Sequence, residues 1–229
     1  MEIRLQWIVL GVYPPATFAF WLLYFYGWAP ITRRFLSARR AGLANVSGMQ
    51  SMCWRANCNS CLHTATVVLV LVPMFASDDE MWRRRLHPHV NMAGHAVMSI
   101  SLAYFSFAIP WQWRLYFCKG ERQAVKLELV IHHVLVVLGI LTYLLTSVCA
   151  VYGAVAFACM EFTNWFFVPY TMMSQIGLDD GGARYTAVGV LLVVSFIVCR
   201  IGICTWQGVE FSKDLAGESA SGIRGRDLS

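Results

Sequence analysis

Long apolar runs alternate with short polar stretches along this chain, and the runs have the length of membrane-crossing helices. At about 1.5 Å per residue, a helix needs about 20 apolar residues to cross a bilayer. The apolar stretch from residue 127 to residue 173 is about twice that length, so we predict two spans with a tight break near Thr146 and Ser147. The pattern predicts an all-α, polytopic membrane helix bundle with about six transmembrane helices. The predicted spans are residues 5–26, 57–75 and 94–113, the two halves of 127–173, and residues 185–206.

The polar stretches divide the chain into three parts. Residues 1–47 hold the first span and a basic connecting loop, residues 48–206 form the main helix bundle, and residues 207–229 form a polar C-terminal tail. We expect a short interfacial helix within residues 28–55, where arginines alternate with small residues. We expect residues 212–229, which are rich in Gly, Ser and charge, to be disordered unless a partner holds them.

Composition supports a membrane protein. Hydrophobic residues make up 58% of the chain and charged residues 14%, with a mean hydropathy of +0.54. Soluble domains are about 45–50% apolar and about a quarter charged, and disordered chains or disulfide scaffolds lack such long apolar runs. The eight cysteines lie mostly singly in or beside apolar runs, where a thiol acts as a small hydrophobe.

The net charge of +5 reflects basic residues that gather between the apolar segments. At those positions they set orientation and meet lipid headgroups, so the charge does not favour nucleic acid as a partner. Lys and Arg are somewhat more frequent in the loops after the first, third and fifth spans. This bias places those loops in the cytoplasm, or in the matrix of a mitochondrion, with the C-terminus on the opposite side.

Ionisable residues inside the predicted spans are the best candidates for a functional site. Each costs about 2.5–3.5 kcal/mol at the centre of a span unless it finds a partner. Counted from the same face, His63 and His132 lie about 9 Å deep, Asn164 about 14 Å and Glu161 about 18 Å. We therefore predict one polar layer in the bundle, with Arg200 from the last span as the counter-charge of Glu161. The candidate residues are His63, His132, His133, Glu161, Asn164 and Arg200.

The adjacent histidines His132 and His133 allow two interpretations. Neighbouring residues point about 100° apart around a helix, so one ring faces the centre of a pocket while the other meets a neighbouring helix. This geometry suits a catalytic base with an orienting partner, and it equally suits two structural histidines that bond separate helices.

Metal binding is not favoured. Cys53, Cys58, Cys61 and His63 have metal-like spacing, but these side chains at the start of one helix cannot all converge on one tetrahedral ion. We therefore predict no metal and no bound cofactor.

Three segments together resemble the TLC-domain family of multi-span membrane proteins, over residues 48–204. They are residues 129–140 with the paired histidines, residues 160–167 with Glu161 and Asn164, and residues 196–200, which end at Arg200. Residues 101–106 also resemble the preceding, tyrosine-containing span of the family. The family includes ceramide synthases, whose paired histidines are implicated in acyl transfer from acyl-CoA, and members linked to lipid sensing, trafficking or membrane composition.

The resemblance implies that His132 and His133 are catalytic or contact lipid, and that Glu161, Asn164 and Arg200 line a pocket or support it. The resemblance is closer to the branch of the family that does not contain ceramide synthases, because Glu161 and Asn164 stand where those enzymes carry paired aspartates. Ala108 stands where the family has an acidic residue. The resemblance further implies the endoplasmic reticulum and, if the chain is an enzyme, a lipid acyltransferase-like activity with acyl-CoA.

Two functions remain open. The first is a lipid-handling protein that binds, senses or modifies a membrane lipid through the buried layer, with His63, Glu161, Asn164 and Arg200 in contact with the lipid and His132 or His133 as the base. The second is a non-catalytic accessory subunit of a larger membrane complex, for instance in the mitochondrial inner membrane, whose partners hold the C-terminal tail. A transporter is less favoured, since the sequence has no inverted repeat.

Overall fold

All regular secondary structure in the described part of the chain is helical. A computed structural model describes residues 2–32, 48–119, 127–175, 177–178 and 181–226. The first helices are α1 (Glu2–Leu22, continued by a π-helical turn over Leu23–Gly27), α2 (Gly48–Ser77), the short α3 (Asp79–Arg83) and α4 (Met92–Trp113, continued by a π-helical turn over Arg114–Cys118). They are followed by α5 (Leu127–Thr146), α6 (Ala150–Gln175), and α7 (Ala183–Ser195), which continues through a π-helical segment (Phe196–Ile203) into α8 (Cys204–Arg226).

Five helical segments of the described chain are long and apolar enough to cross a membrane, and they contain the predicted second to sixth spans. The segments are Ser51–Ser77, Met92–Cys118, Leu127–Thr146, Ala150–Gln175 and Ala183–Glu218. The predicted first span lies within α1 and its π-helical turn, and its crossing of the membrane stays a prediction. The fold is therefore an all-α polytopic bundle, as the sequence predicts.

Helix α4 forms the centre of the bundle. It packs against α1, α2 and α5, and 61% of its most apolar stretch is buried, compared with 11% in the helix formed by α7 and α8. Helix α2 packs against both α4 and α6, and the α7–α8 helix lies on the outer side of α6. This arrangement surrounds one space with α2, α4, α5 and α6.

Polar contacts attach α1 to the bundle. The buried Asn59 on α2 accepts a hydrogen bond from the Trp28 indole at 2.6 Å and donates to the carbonyl of Phe20 at 2.9 Å. The hydroxyls of Tyr13 and Ser106 lie 2.8 Å apart, which ties α1 to α4. Satisfied polar pairs of this kind hold helices together where lipid replaces water.

The predicted break near Thr146 and Ser147 is confirmed. Helix α5 ends at Thr146, and α6 begins at Ala150. Ser147 and Cys149 have φ values of 52° and 54°, in the left-handed region that reverses the chain quickly but disfavours most side chains. The Ser147 hydroxyl lies 3.1 Å from Nε2 of the buried His95, so the turn is fixed to α4.

The expectation of a disordered tail is wrong for residues 212–226, because α8 continues to Arg226. Arg85, in the connection before α4, lies 3.2 Å from Asp214 and 3.6 Å from Glu210. Tyr152 on α6 donates a hydrogen bond to the same Asp214 carboxylate, and Gln207 donates to the Tyr152 carbonyl. The sequence interpretation failed because the partners of this segment lie far from it along the chain.

One prediction falls mainly outside the described residues. The interfacial helix expected within residues 28–55 covers residues 33–47, which the structure does not describe. The end of that range, from Gly48 to Arg55, belongs to α2.

Candidate functional site

A cavity of about 580 Å³ lies between α2, α4, α5 and α6. Its lining comes from the first half of α2, the second half of α4, the first half of α5 and the middle and second half of α6, so it lies towards one end of the bundle. Aromatic and aliphatic side chains form much of its wall, including Phe105, Phe107, Ala108, Val136, Phe157 and Val168. The polar side chains in the lining include Gln112, Glu128, His132, His133, Glu161 and Asn164.

Four of the six predicted site residues line this cavity. They are His132, His133, Glu161 and Asn164, as the estimated depths along their helices predict. His63 and Arg200 are not part of the lining, although each contacts the elements that form it. The structure therefore brings these four polar side chains together in one cavity. Their roles stay predictions.

His133 is oriented by an amide on the neighbouring helix. Its Nδ1 lies 2.8 Å from Oε1 of Gln112 on α4, and because that oxygen accepts, Nδ1 carries the hydrogen. The ring also packs against Phe105, with ring centres 5.0 Å apart. In this tautomer Nε2 keeps its lone pair, so a neutral His133 presents a base at the cavity wall.

His132 is the more exposed of the two histidines. The two rings lie 5.8 Å apart, and both residues line the cavity. His133 is half-buried against α4, whereas His132 is exposed on α5. The structure thus gives the pair different surroundings, as their angular separation on a helix predicts.

Glu161 concentrates its contacts on one carboxylate oxygen. Its Oε2 accepts hydrogen bonds from Thr64 at 2.9 Å and from Asn164 at 3.3 Å, and lies 3.5 Å from Nδ1 of His63. The residue is only 5% exposed, yet it belongs to the cavity lining. None of these three contacts involves Oε1, the second oxygen of the carboxylate.

His63 lies behind Glu161 and is 1% exposed. Its Nε2 lies 3.0 Å from the hydroxyl of Ser101, and its ring stacks on Tyr104 with centres 4.3 Å apart and planes 7° apart. His63 therefore contacts the site through Glu161.

The prediction that Arg200 neutralises Glu161 is wrong. Arg200 donates from Nε to the Thr163 hydroxyl at 3.0 Å and from Nη2 to the Met160 carbonyl at 3.4 Å. Residues two apart on a helix face in nearly opposite directions, so the α6 face that carries Thr163 meets Arg200 while Glu161 turns inward. Within the described residues, the basic side chain that contacts Glu161 is His63, at 3.5 Å.

Within the ranges that the structure describes, no group of three or more His, Cys, Asp or Glu side chains is arranged to hold a metal ion. Cys53 lines the cavity, whereas His63, at the end of the same metal-like motif, faces Ser101 and Glu161. The histidine of that motif thus contacts side chains of two other helices.

The sequence interpretation missed Gln112, Thr64 and Ser101, which orient the predicted site residues. In the sequence, Gln112 is a single amide near the end of an apolar run. Because a buried amide needs a hydrogen-bond partner, this was the signal that could have found it. Thr64 and Ser101 gave no comparable signal, because hydroxyls in membrane helices commonly bond to the preceding turn.

Comparison with known protein families gives one match. Residues 53–222 match the profile of the TLC domain, the family of TRAM, LAG1 and CLN8 proteins. The matched region is most of the chain and contains every predicted site residue, so the chain belongs to the TLC-domain family of polytopic membrane proteins. Proteins of this family relate to lipid metabolism and lipid sensing.

Neither a search of curated proteins nor a search of solved structures found a significant match.

Proposed function

We propose that this TLC-domain protein binds a membrane lipid in the cavity between α2, α4, α5 and α6. The observation that carries the proposal is a cavity inside the bundle that combines an apolar wall with polar groups from several helices. Its volume, about 580 Å³, falls within the range of about 300–1,000 Å³ that is usual for small-molecule sites. The acyl part of the lipid packs against side chains such as Phe105 and Phe157, and its polar part meets His133 and Glu161.

The polar part of the lipid is a hydrogen-bond donor, such as a hydroxyl or an amine. His133 offers the lone pair of Nε2, since Nδ1 donates to Gln112. Asn164 donates one amide hydrogen to Oε2 of Glu161, and its side-chain oxygen can accept a hydrogen bond from the lipid. His133 is therefore the residue placed to accept a proton from the lipid, and His132 lies beside it at the more exposed part of the wall.

The protein is nearer to the TLC branch that does not contain ceramide synthases. The support is Ala108, which is 3% exposed and lines the cavity where the resemblance leads us to expect an acidic side chain. Binding or sensing of lipid is for this reason our main proposal. If the bound lipid is converted, acyl-CoA is the co-substrate that the resemblance implies, and the endoplasmic reticulum is the membrane that it suggests.

Filling the cavity tests the proposal. Ala108→Phe places a large ring in the lining, whereas Ala187→Phe adds the same ring at an exposed position on α7. Each protein is extracted in a mild detergent, and the lipids that remain bound are identified by mass spectrometry. We expect a defined lipid on the wild type and on Ala187→Phe, and its loss from Ala108→Phe. Equal lipid content in all three proteins contradicts a site in this cavity.

The alternative role, an accessory subunit, keeps Ala108 in place of an acidic residue as one motive but loses the other. That other motive was a tail that needed a partner, whereas Asp214 in α8 pairs with Arg85 of the same chain.

A further inference from the structure

We propose that His63 is a buried imidazolium that keeps Glu161 ionised at the cavity wall, so that the site excludes anionic lipid groups. The inference rests on the proposed lipid site for its consequence, and on the contacts of His63 for its first part. His63 is thus a positioning and specificity-determining residue that acts through Glu161.

The contacts of Ser101 determine whether Nε2 of His63 carries a hydrogen. The Ser101 hydroxyl donates its single hydrogen to the carbonyl of Val97 at 2.8 Å. Ser101 can therefore only accept in its 3.0 Å contact with His63, and Nε2 must carry a hydrogen.

Nδ1 of His63 is buried and faces Oε2 of Glu161 at 3.5 Å, a contact longer than a normal hydrogen bond. If both atoms were without a proton, two lone pairs would face each other in a site shielded from water. One proton therefore lies between them. Oε2 already accepts from Thr64 and Asn164, which favours the carboxylate, so the proton resides on Nδ1.

The ring of His63 stacks on the ring of Tyr104, with the planes 7° apart and the centres 4.3 Å apart. A cation over an aromatic face is stabilised by the negative face of the ring, and more strongly where water is excluded. Tyr104, His132 and His133 are further titratable groups near the pair, and Glu128 on α5 is a second carboxylate of the cavity lining. The anion that His63 contacts is Glu161.

The consequence for the cavity follows from the second oxygen of Glu161, which none of these three contacts involves. With three contacts on Oε2, the negative charge is presented through Oε1 beside the cavity. A phosphate or carboxylate at this place meets a fixed like charge, which disfavours its binding. A neutral or cationic group that donates a hydrogen bond is accepted.

Nitrogen NMR of ¹⁵N-histidine-labelled protein in nanodiscs tests the protonation state without a ligand. The His63 signals are assigned by their loss in His63→Gln. We expect both ring nitrogens of His63 to carry hydrogens in the folded protein, as its contacts with Ser101 and Glu161 require. A bare nitrogen on His63 overturns the inference.

His95 is the internal control in the same spectra. It is also fully buried, and its Nδ1 bonds to the Asn91 carbonyl while Nε2 bonds to the Ser147 hydroxyl. With a carbonyl acceptor on one side and a hydroxyl that can donate on the other, His95 shows one protonated and one bare nitrogen.

Infrared spectroscopy tests the effect on Glu161. The C=O band of a protonated carboxylic acid is expected in His63→Gln, and it disappears in the double variant His63→Gln, Glu161→Gln. Thr64→Val removes a hydrogen bond to the same oxygen but keeps the positive charge, so no acid band is expected there. An acid band of Glu161 in the wild type contradicts the inference.

Lipid selection tests the consequence. The ratio of bound phosphatidic acid to bound diacylglycerol is expected to rise at least about tenfold in Glu161→Gln, because the like charge is gone. An unchanged ratio overturns the exclusion of anions. Absence of any lipid from the wild-type cavity overturns the proposed function instead, and the nitrogen spectrum still decides the state of His63.

Discussion

Nδ1 of His133 lies 2.8 Å from the side-chain oxygen of Gln112, and this contact joins the fifth and fourth helices at the cavity wall. The amide oxygen selects the tautomer of the histidine and fixes the direction of its ring. Gln112 is therefore as much a part of the candidate site as the histidine itself.

Replacing Gln112 by Leu removes the acceptor and leaves the His133 ring free to turn. A hydrogen bond contributes about 1 kcal/mol, so we expect the affinity for the bound lipid to fall about fivefold. Trp113→Leu changes the next residue of the same helix, which is exposed and outside the cavity lining, and serves as the control with affinity near that of the wild type. Lipid titration followed by native mass spectrometry measures both, and equal affinity of Gln112→Leu and the wild type contradicts the role of Gln112.

Arg85 holds the first half of α8 through Asp214 and Glu210. The Arg85 side chain is 37% exposed, so we expect Arg85→Ala to cost only about 1 kcal/mol, or about 2–4 °C in melting temperature. We also expect the Arg85→Ala substitution to make residues 208–218 accessible to protease. The control is Arg83→Ala, whose side chain is 73% exposed and pairs within its own helix. Identical protease patterns for the two variants contradict the contact, and high salt should reduce the difference.

Asp78 caps α3 and gives a prediction about acid stability. Burial by itself raises the pKa of Asp78, but hydrogen bonds from Asn91, His89 and the Met81 amide outweigh it and lower the pKa below its usual range. A lowered pKa in the folded state contributes stability that is complete above the unfolded-state pKa of about 3.9. This contribution is lost as the pH falls through the lower folded-state value.

Melting curves in detergent between about pH 3 and 7 test this pH dependence. We expect Asp78→Asn to be less stable than the wild type at pH 7 and to lose less stability on acidification. Asp79→Asn changes the neighbouring, exposed carboxylate and should follow the wild-type curve. Parallel curves for the wild type and Asp78→Asn contradict the account.

Cys149 lies in the α5–α6 turn with a φ of 54°. A β-branched residue disfavours this conformation, whereas asparagine adopts it readily. We expect Cys149→Asn to be more stable than Cys149→Val by about 1 kcal/mol. Thermal unfolding followed by tryptophan fluorescence compares the two, and the reverse order contradicts a left-handed residue at this position.

Features that depend on position along one helix could be predicted from the sequence. The break after Thr146 follows from an apolar run too long for one crossing. The position of His132 and Glu161 in the lining of one cavity follows from their depths along their helices. Both arguments use the rise per residue of a helix, which does not depend on its neighbours.

Features that depend on rotation between helices could not be predicted. Arg200 is at a suitable depth for Glu161, but α6 turns Thr163 towards it instead. Gln112 reaches His133 only because α4 and α5 pack side by side. The helical C-terminal segment was missed for a related reason, since its partner Arg85 comes from a distant connection.

Native mass spectrometry of the protein, released from nanodiscs under mild conditions, tests the lipid site most directly. The account predicts the mass of the 25.8 kDa chain plus one lipid of defined mass, and loss of that lipid in Ala108→Phe. A chain without lipid in a stoichiometric assembly with other membrane proteins contradicts it and favours an accessory subunit.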